Sequence, residues 1–154
     1  MLPFKFVLIL TLALAASAPA SALTFESLQH GVDLYNSGME NAPGVVKTLL
    51  GDERIQIEVT RPDGTALVAG LETEKAVVVN LTAGEINNPT IVVEAREDAI
   101  KRIYESDDPA AAFQEARDRG EITITGTTWS AKAKVAAALA SSSAIRFFAG
   151  LVGG

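Results

Sequence analysis

The residues able to do chemistry in this chain are few, and their spacing does not favour it. His30 is the single histidine, and no serine, cysteine or acid stands beside it at the spacing of a nucleophile–base pair, so it reads as an ordinary helix residue. The absence of cysteine removes disulfides and thiolate metal ligands. Asp107-Asp108 and the run Glu94-Ala95-Arg96-Glu97-Asp98 are the acidic clusters, but no D-x-D-x-D-G loop is present, so these carboxylates are expected to cap helices and meet solvent. Gly-rich phosphate loops and G-x-S-x-G elbows are absent. The sequence therefore predicts a non-enzyme with no catalytic residue, no metal site and no cofactor. Trp129, the single tryptophan, stands at the entry to a helical segment and is expected to anchor packing there, with stacking on a ligand as the alternative.

Charge narrows the partners. A net charge of -6 with 6% aromatic residues excludes a nucleic-acid binder. Lys132 and Lys134 make too small a basic patch to draw the protein strongly onto acidic membranes. At 154 residues and 48% hydrophobic content the chain is one domain with enough apolar side chains for a core.

The first 22 residues read as an export signal. Lys5 supplies the positive start, residues 6–16 are apolar apart from Thr11, and Ala20-Ser21-Ala22 is an A-x-A cleavage pattern. The apolar run is too short for the ~20 residues that cross a bilayer. Cleavage after Ala22 would leave residues 23–154 as a single domain outside the cytoplasm, in the periplasm, at the cell surface or secreted. Its fold must then be held by packing alone, which a domain of this size can do. Asn80-Leu81-Thr82 is a glycosylation sequon, read here as a plain polar residue at a strand end.

The elements that would position any site follow from periodicity. Residues 25–37 carry Leu28, Val32 and Tyr35 on one helical stripe, and residues 42–50 form a second short helix with Pro43 in its first turn. In residues 54–60, Ile55, Ile57 and Val59 alternate with Arg54, Gln56, Glu58 and Thr60, the pattern of a strand with one dry face and one wet face. Residues 66–71, 76–81 and 90–95 are expected as three more strands, with links at 72–74 and 82–89, in a meander or a near relative. Helices are predicted at 97–105, with Ile100, Ile103 and Tyr104 inward, and from Pro109 to Gly120, capped by Asp108 with Ala112, Phe113 and Ala116 inward. A fifth strand at 121–125 and a long Ala-rich helix at 130–150 complete the chain.

This order resembles the sterol-carrier-protein-2-like (SCP2) domain over residues 31–139. Three pieces carry the likeness: Asn88-Pro89-Thr90-Ile91-Val92-Val93 at the fourth strand, Asp108-Pro109-Ala110-Ala111-Ala112-Phe113 at a helix start, and Gly120-Glu121-Ile122-Thr123-Ile124-Thr125-Gly126 as the last strand. The link at residues 114–119 is about one helical turn longer than the family commonly has. The resemblance implies an α+β fold, a five-stranded, mostly antiparallel twisted sheet with helices packed on one face. It also implies an apolar tunnel between sheet and helices that takes fatty-acyl chains or other lipids.

On that reading the protein binds a hydrophobic small molecule or lipid, with apolar side chains supplying most of the binding. The inward pattern assigns Ile57, Val59, Val79, Val93, Ile103, Phe113, Ile124, Leu139 and Phe147 to the cavity lining. The C-terminal segment, with Val135, Leu139, Ile145, Phe147, Phe148 and Leu151 among alanines, is expected to be a core helix or a cover over the pocket, with peripheral membrane contact as the alternative. Arg146 and Ser141, Ser142 and Ser143 argue against a membrane span. The competing function is a structural or interaction protein with a filled core, its last helix packing on a partner or a second copy.

Overall fold

A computed structural model describes residues 23–49, 51–138, 140 and 141. The expected leader, Leu139 and residues 142–154, Phe147 among them, lie outside the described residues. Helix α1 (Phe25–Gly38) is followed by a 3-10 turn (Met39–Asn41) and a short helix α2 (Gly44–Leu49). Strands β1 (Arg54–Thr60), β2 (Ala66–Glu74), β3 (Val77–Ala83) and β4 (Ile91–Arg96) come next. Helices α3 (Glu97–Glu105) and α4 (Pro109–Asp118), strand β5 (Ile122–Gly126) and helix α5 (Trp129–Ala138) follow among the described residues.

The local signals account for most boundaries. Thr24 caps α1 in a capping box with Ser27, and its stripe Leu28, Val32 and Tyr35 is buried against the sheet. Asp108 caps α4 by accepting from the Ala111 N–H at 3.2 Å, with Pro109 in the first turn as the sequence predicts. In α5 the helix ends at Ala138, and Ala140 and Ser141 form a turn and an irregular step where the sequence reading continued the helix.

The sheet order is β3-β2-β1-β4-β5, so the chain departs from a meander after β3. β4 returns to the far side of β1 and pairs with it in parallel, Ile57 opposite Val93, while every other pairing is antiparallel. Parallel neighbours commonly need a crossover of a dozen or more residues. Here the link at residues 84–90 suffices because it runs directly over the polar face of β2. A Cβ on Gly70 would lie 2.6 Å from Ile86 Cβ, so glycine is the notch through which the link passes. The Arg54 side chain donates to Asn87 O at 2.8 Å and fixes the link from β1.

β2 runs on to Glu74, past the link expected at 72–74, and the turn falls on Lys75 and Ala76, both with positive φ (50° and 68°). This two-residue geometry matches the twist of the strands but disfavours residues with a Cβ. The fold compensates at Ala76: its N–H donates to Gly51 O at 2.9 Å and its carbonyl accepts from the buried Tyr35 hydroxyl at 2.6 Å. Burial pushes the Tyr35 phenol up, so it remains the neutral donor that this bond requires. Lys75 is exposed, and the 3.2 Å bond its N–H donates to Asp52 Oδ1 is one that a glycine there keeps. Replacing it with glycine is expected to stabilise the protein by about 0.5–1 kcal/mol, the relief of αL strain less the added chain entropy. A rise of about 2–4 °C in the melting temperature checks this.

One inner face of the sheet carries the core. Ile55, Ile57, Val59, Ala69, Leu71, Ile91, Val93, Ala95 and Ile122 are buried beneath α1, α3 and α4, while Gln56, Glu58, Glu72, Glu94 and Thr123 occupy the other face. Two carboxylates are buried, and one of them, Glu97, departs from the expectation that the acids of residues 94–98 meet solvent. Glu53 and Glu97 are 4% and 3% exposed, each held by named donors described below.

Candidate functional site

The structure brings five of the nine assigned lining residues into one core. The register sets Ile57, Val93 and Ile124 in a single row across β1, β4 and β5, with Val59 in the adjoining row beside Ala95. Ile103 from α3 and Phe113 from α4 close on them from above, and Ile57, Val59, Val93, Ile103 and Phe113 are all buried. Ile124 is only partly covered and packs on the margin of this core, as do Leu67, Leu81 and Tyr104. Leu139 and Phe147 lie outside the described residues.

Val79 is the correction. It is 55% exposed, and Val78 takes the inward position instead. The cause is a bulge: Glu72 pairs with Asn80 but Thr73 pairs with Val78, so Val79 is the extra residue and the alternation flips across it. Leu81 and Val78, three apart, therefore share a face. Trp129 is a second correction, since at 89% exposure it anchors no packing among the described residues.

The margin of the core at β5 is covered by α5. Its start is set by Thr128, whose hydroxyl accepts from the Ala131 N–H at 3.0 Å. Gly126, the last residue of β5, lets the helix sit against the strand: a Cβ there would lie 2.6 Å from Lys132 N and 2.7 Å from the Ala131 carbonyl carbon. Ala131 and Val135, one turn apart, are buried, whereas Trp129, Lys132, Ala133, Ala136 and Ala137 are exposed. The seam is narrow and its side chains are small.

A buried carboxylate reinforces it. Glu53, just before β1, places Oε1 at 2.6 Å from Lys134 Nζ and accepts from the Thr90 hydroxyl at 2.6 Å through Oε2. Thr90 also accepts from the Arg54 N–H at 3.0 Å, and the Glu53 N–H donates to Thr73 Oγ1 at 2.8 Å. Glu53 thus ties α5 to the entry of β4 through its carboxylate and to β2 through its backbone N–H. Sequence reasoning missed this group because its cation is 81 residues away.

Clefts formed by described residues lie at the surface with mixed polar linings. One of about 380 Å³ is bordered by Glu53, Arg54, Glu72, Thr73 and Val79, and another of about 300 Å³ lies between α3 and α4 beside Arg102, Ala112 and Arg119. Among the described residues there is no group of three or more His, Asp or Glu side chains placed to hold a metal. No helix among them is long and apolar enough to cross a membrane.

These features define an α+β domain whose mixed sheet buries one apolar face under helices, with a lightly seated last helix at the sheet's edge. Solved structures it is similar to include sterol carrier protein 2 structures. The sterol carrier protein domain 2 of Helicoverpa armigera matches at a TM-score of 0.48 and 14% identity, over 80% of this chain and 86% of that one. Sterol carrier protein 2 from Yarrowia lipolytica in its apo form matches at 0.47 and 16%, over 79% and 98%. A UbiJ-SCP2 ubiquinone synthesis protein matches at 0.47 and 14%, over 75% and 90%. No protein-family profile and no curated protein matches the chain. At such identities the likeness is one of fold.

Proposed function

We propose that the protein is an exported carrier of a hydrophobic ligand, a lipid or fatty-acyl chain, released by cleavage after Ala22 and working outside the cytoplasm. The ligand lies against the inner face of the sheet, at the margin marked by Ile124, with α5 as its cover. One observation carries this reading: a continuous apolar face across the sheet is closed at β5 by a helix resting on Ala131, Val135 and one ion pair. Small side chains bury little area, so such a cover can lift at modest cost. The sequence resemblance to a lipid-carrying family points the same way.

Native mass spectrometry of the gently purified exported protein tests this, with a titration by a long-chain fatty acid followed through Trp129 emission. Retained lipid and a saturable change at Trp129 are expected. A lipid-free protein indifferent to added acyl chains would sink the carrier. A second reading is favoured by the tight burial of Ile57, Val59, Val93, Ile103 and Phe113: an interaction protein with a filled core that uses its last helix on a partner or a second copy. Size-exclusion chromatography of the chain cut after Ala140 separates the two, since unchanged assembly counts against that role.

A further inference from the structure

Glu97 is a buried acid at the start of α3, and its geometry is directed at a backbone nitrogen. Oε2 accepts from the N–H of Leu23 at 3.0 Å, 74 residues earlier in the chain. The neighbouring Arg61 would ordinarily take a carboxylate with two parallel bonds. Here its Nε stays 3.8 Å from Oε2 and is buried without a hydrogen bond among the described residues. Instead Arg61 Nη2 donates to the carbonyl of Leu23 at 2.8 Å, while Lys101 Nζ holds the other oxygen of Glu97 at 3.3 Å. Residue 23 is therefore gripped at its nitrogen and at its oxygen, and its side chain is fully buried. The next residue, Thr24, begins the capping box of α1. Chain ends are poorly ordered unless tied down, and a grip on both backbone groups of one residue is the kind of contact that ties one down.

That residue directly follows the A-x-A pattern. We propose that Glu97 is a binding site for an α-amino group: hydrolysis of the Ala22–Leu23 peptide bond leaves a carboxylate on Ala22 and an ammonium on Leu23, and Glu97 takes that ammonium. The inference rests on the export reading given above. The amide N–H seen on Oε2 becomes a charged donor at the same position, giving a charge-assisted pair about twice as strong as a neutral one. It also orders the events. A peptidase needs the bond exposed and extended, and a fully buried Leu23 side chain forbids that, so cleavage takes place while Leu23 is undocked, and the new ammonium strengthens the contact once it docks.

The test compares three full-length mature chains: one released from a fusion so that Leu23 is first, one beginning at Ala22, and one beginning at an Nα-acetylated Leu23. The free Leu23 chain is expected to melt about 3 °C or more above the other two, and a Glu97→Gln background should reduce the gap to about 1 °C or less. Three coincident melting curves, or a gap that survives Glu97→Gln, would overturn the amine site. If Glu97→Gln does not fold, the acetylated chain decides alone, because it leaves Glu97 intact. Intact mass of the exported protein addresses the processing position separately: a first residue of Leu23 supports it, and any other first residue overturns it whatever the melting curves show.

Discussion

Phe113→Ala is expected to cost about 3–5 kcal/mol, the range for emptying a buried aromatic site, and to lower the melting temperature by roughly 10–20 °C. The position explains the size. α4 buries Phe113 and Ala116, with Ala112 partly buried beside them, so the ring is the principal hold between that helix and the sheet. It is fully buried, with Ile103 of α3 in the same apolar cluster. Removing it takes away transfer energy and leaves a void whose walls are fixed on one side by the β4–β5 ladder. Phe113→Leu, which refills most of the space, should cost well under half as much. Differential scanning calorimetry of the two variants checks the prediction, and equal melting temperatures for Phe113→Ala and the parent would show that the core at this point is not packed. The measurement also bears on function. If acyl chains lie against the same face, Phe113→Ala should regain stability on adding a fatty acid, since a ligand that binds only the folded state stabilises it by mass action.

What the sequence revealed and what it hid separate along one line. Features fixed by neighbours in the chain were legible. The alternation of Ile55, Ile57 and Val59 placed β1 to the residue, the Asp108-Pro109 pair placed the start of α4, and the stripe Leu28, Val32 and Tyr35 gave the buried face of α1. Features fixed by a partner across the fold were hidden. Val79 has the apolar parity of an inward residue, and only the pairing of β3 with β2 shows the bulge that turns it out. The parallel return of β4 depends on Gly70 accepting Ile86 on its face, and Gly70 alone reads as a weak point in a strand. Glu53 and Glu97 resemble any solvated acid until Lys134 and Leu23 arrive from 81 and 74 residues away. Trp129 erred in the other direction: a large aromatic ring suggests burial on average, but the seat of α5 is set by Gly126, Ala131 and Val135, and the ring is left outside. The inner face of the sheet shares this division. Its apolar rows were readable from strand alternation, whereas the Glu53–Lys134 pair that fastens α5 was not.

That ion pair supports the second large effect. Lys134→Met keeps the length and apolar stem of the side chain but leaves Glu53 Oε1 without its cation, in a carboxylate 4% exposed. Breaking a buried pair by removing one partner costs about 3–5 kcal/mol; with the lysine side chain 31% exposed, about 2–3 kcal/mol is expected here. Adding Glu53→Gln should recover much of this loss. A neutral amide still has an oxygen to accept from the Thr90 hydroxyl, and no buried charge is left over. The non-additivity of the two changes is the signature of the pair. The loss should also be local. Among the described residues of α5, Ala131 and Val135 are the buried apolar side chains, so amide exchange in residues 132–138 should accelerate far more than in β1 or α4. Hydrogen exchange read by mass spectrometry distinguishes this from general destabilisation. Uniform acceleration across the sheet would mean that α5 is integral to the core. Selective acceleration, with faster uptake of a fatty acid by Lys134→Met than by the parent, is what a cover held by one latch must show.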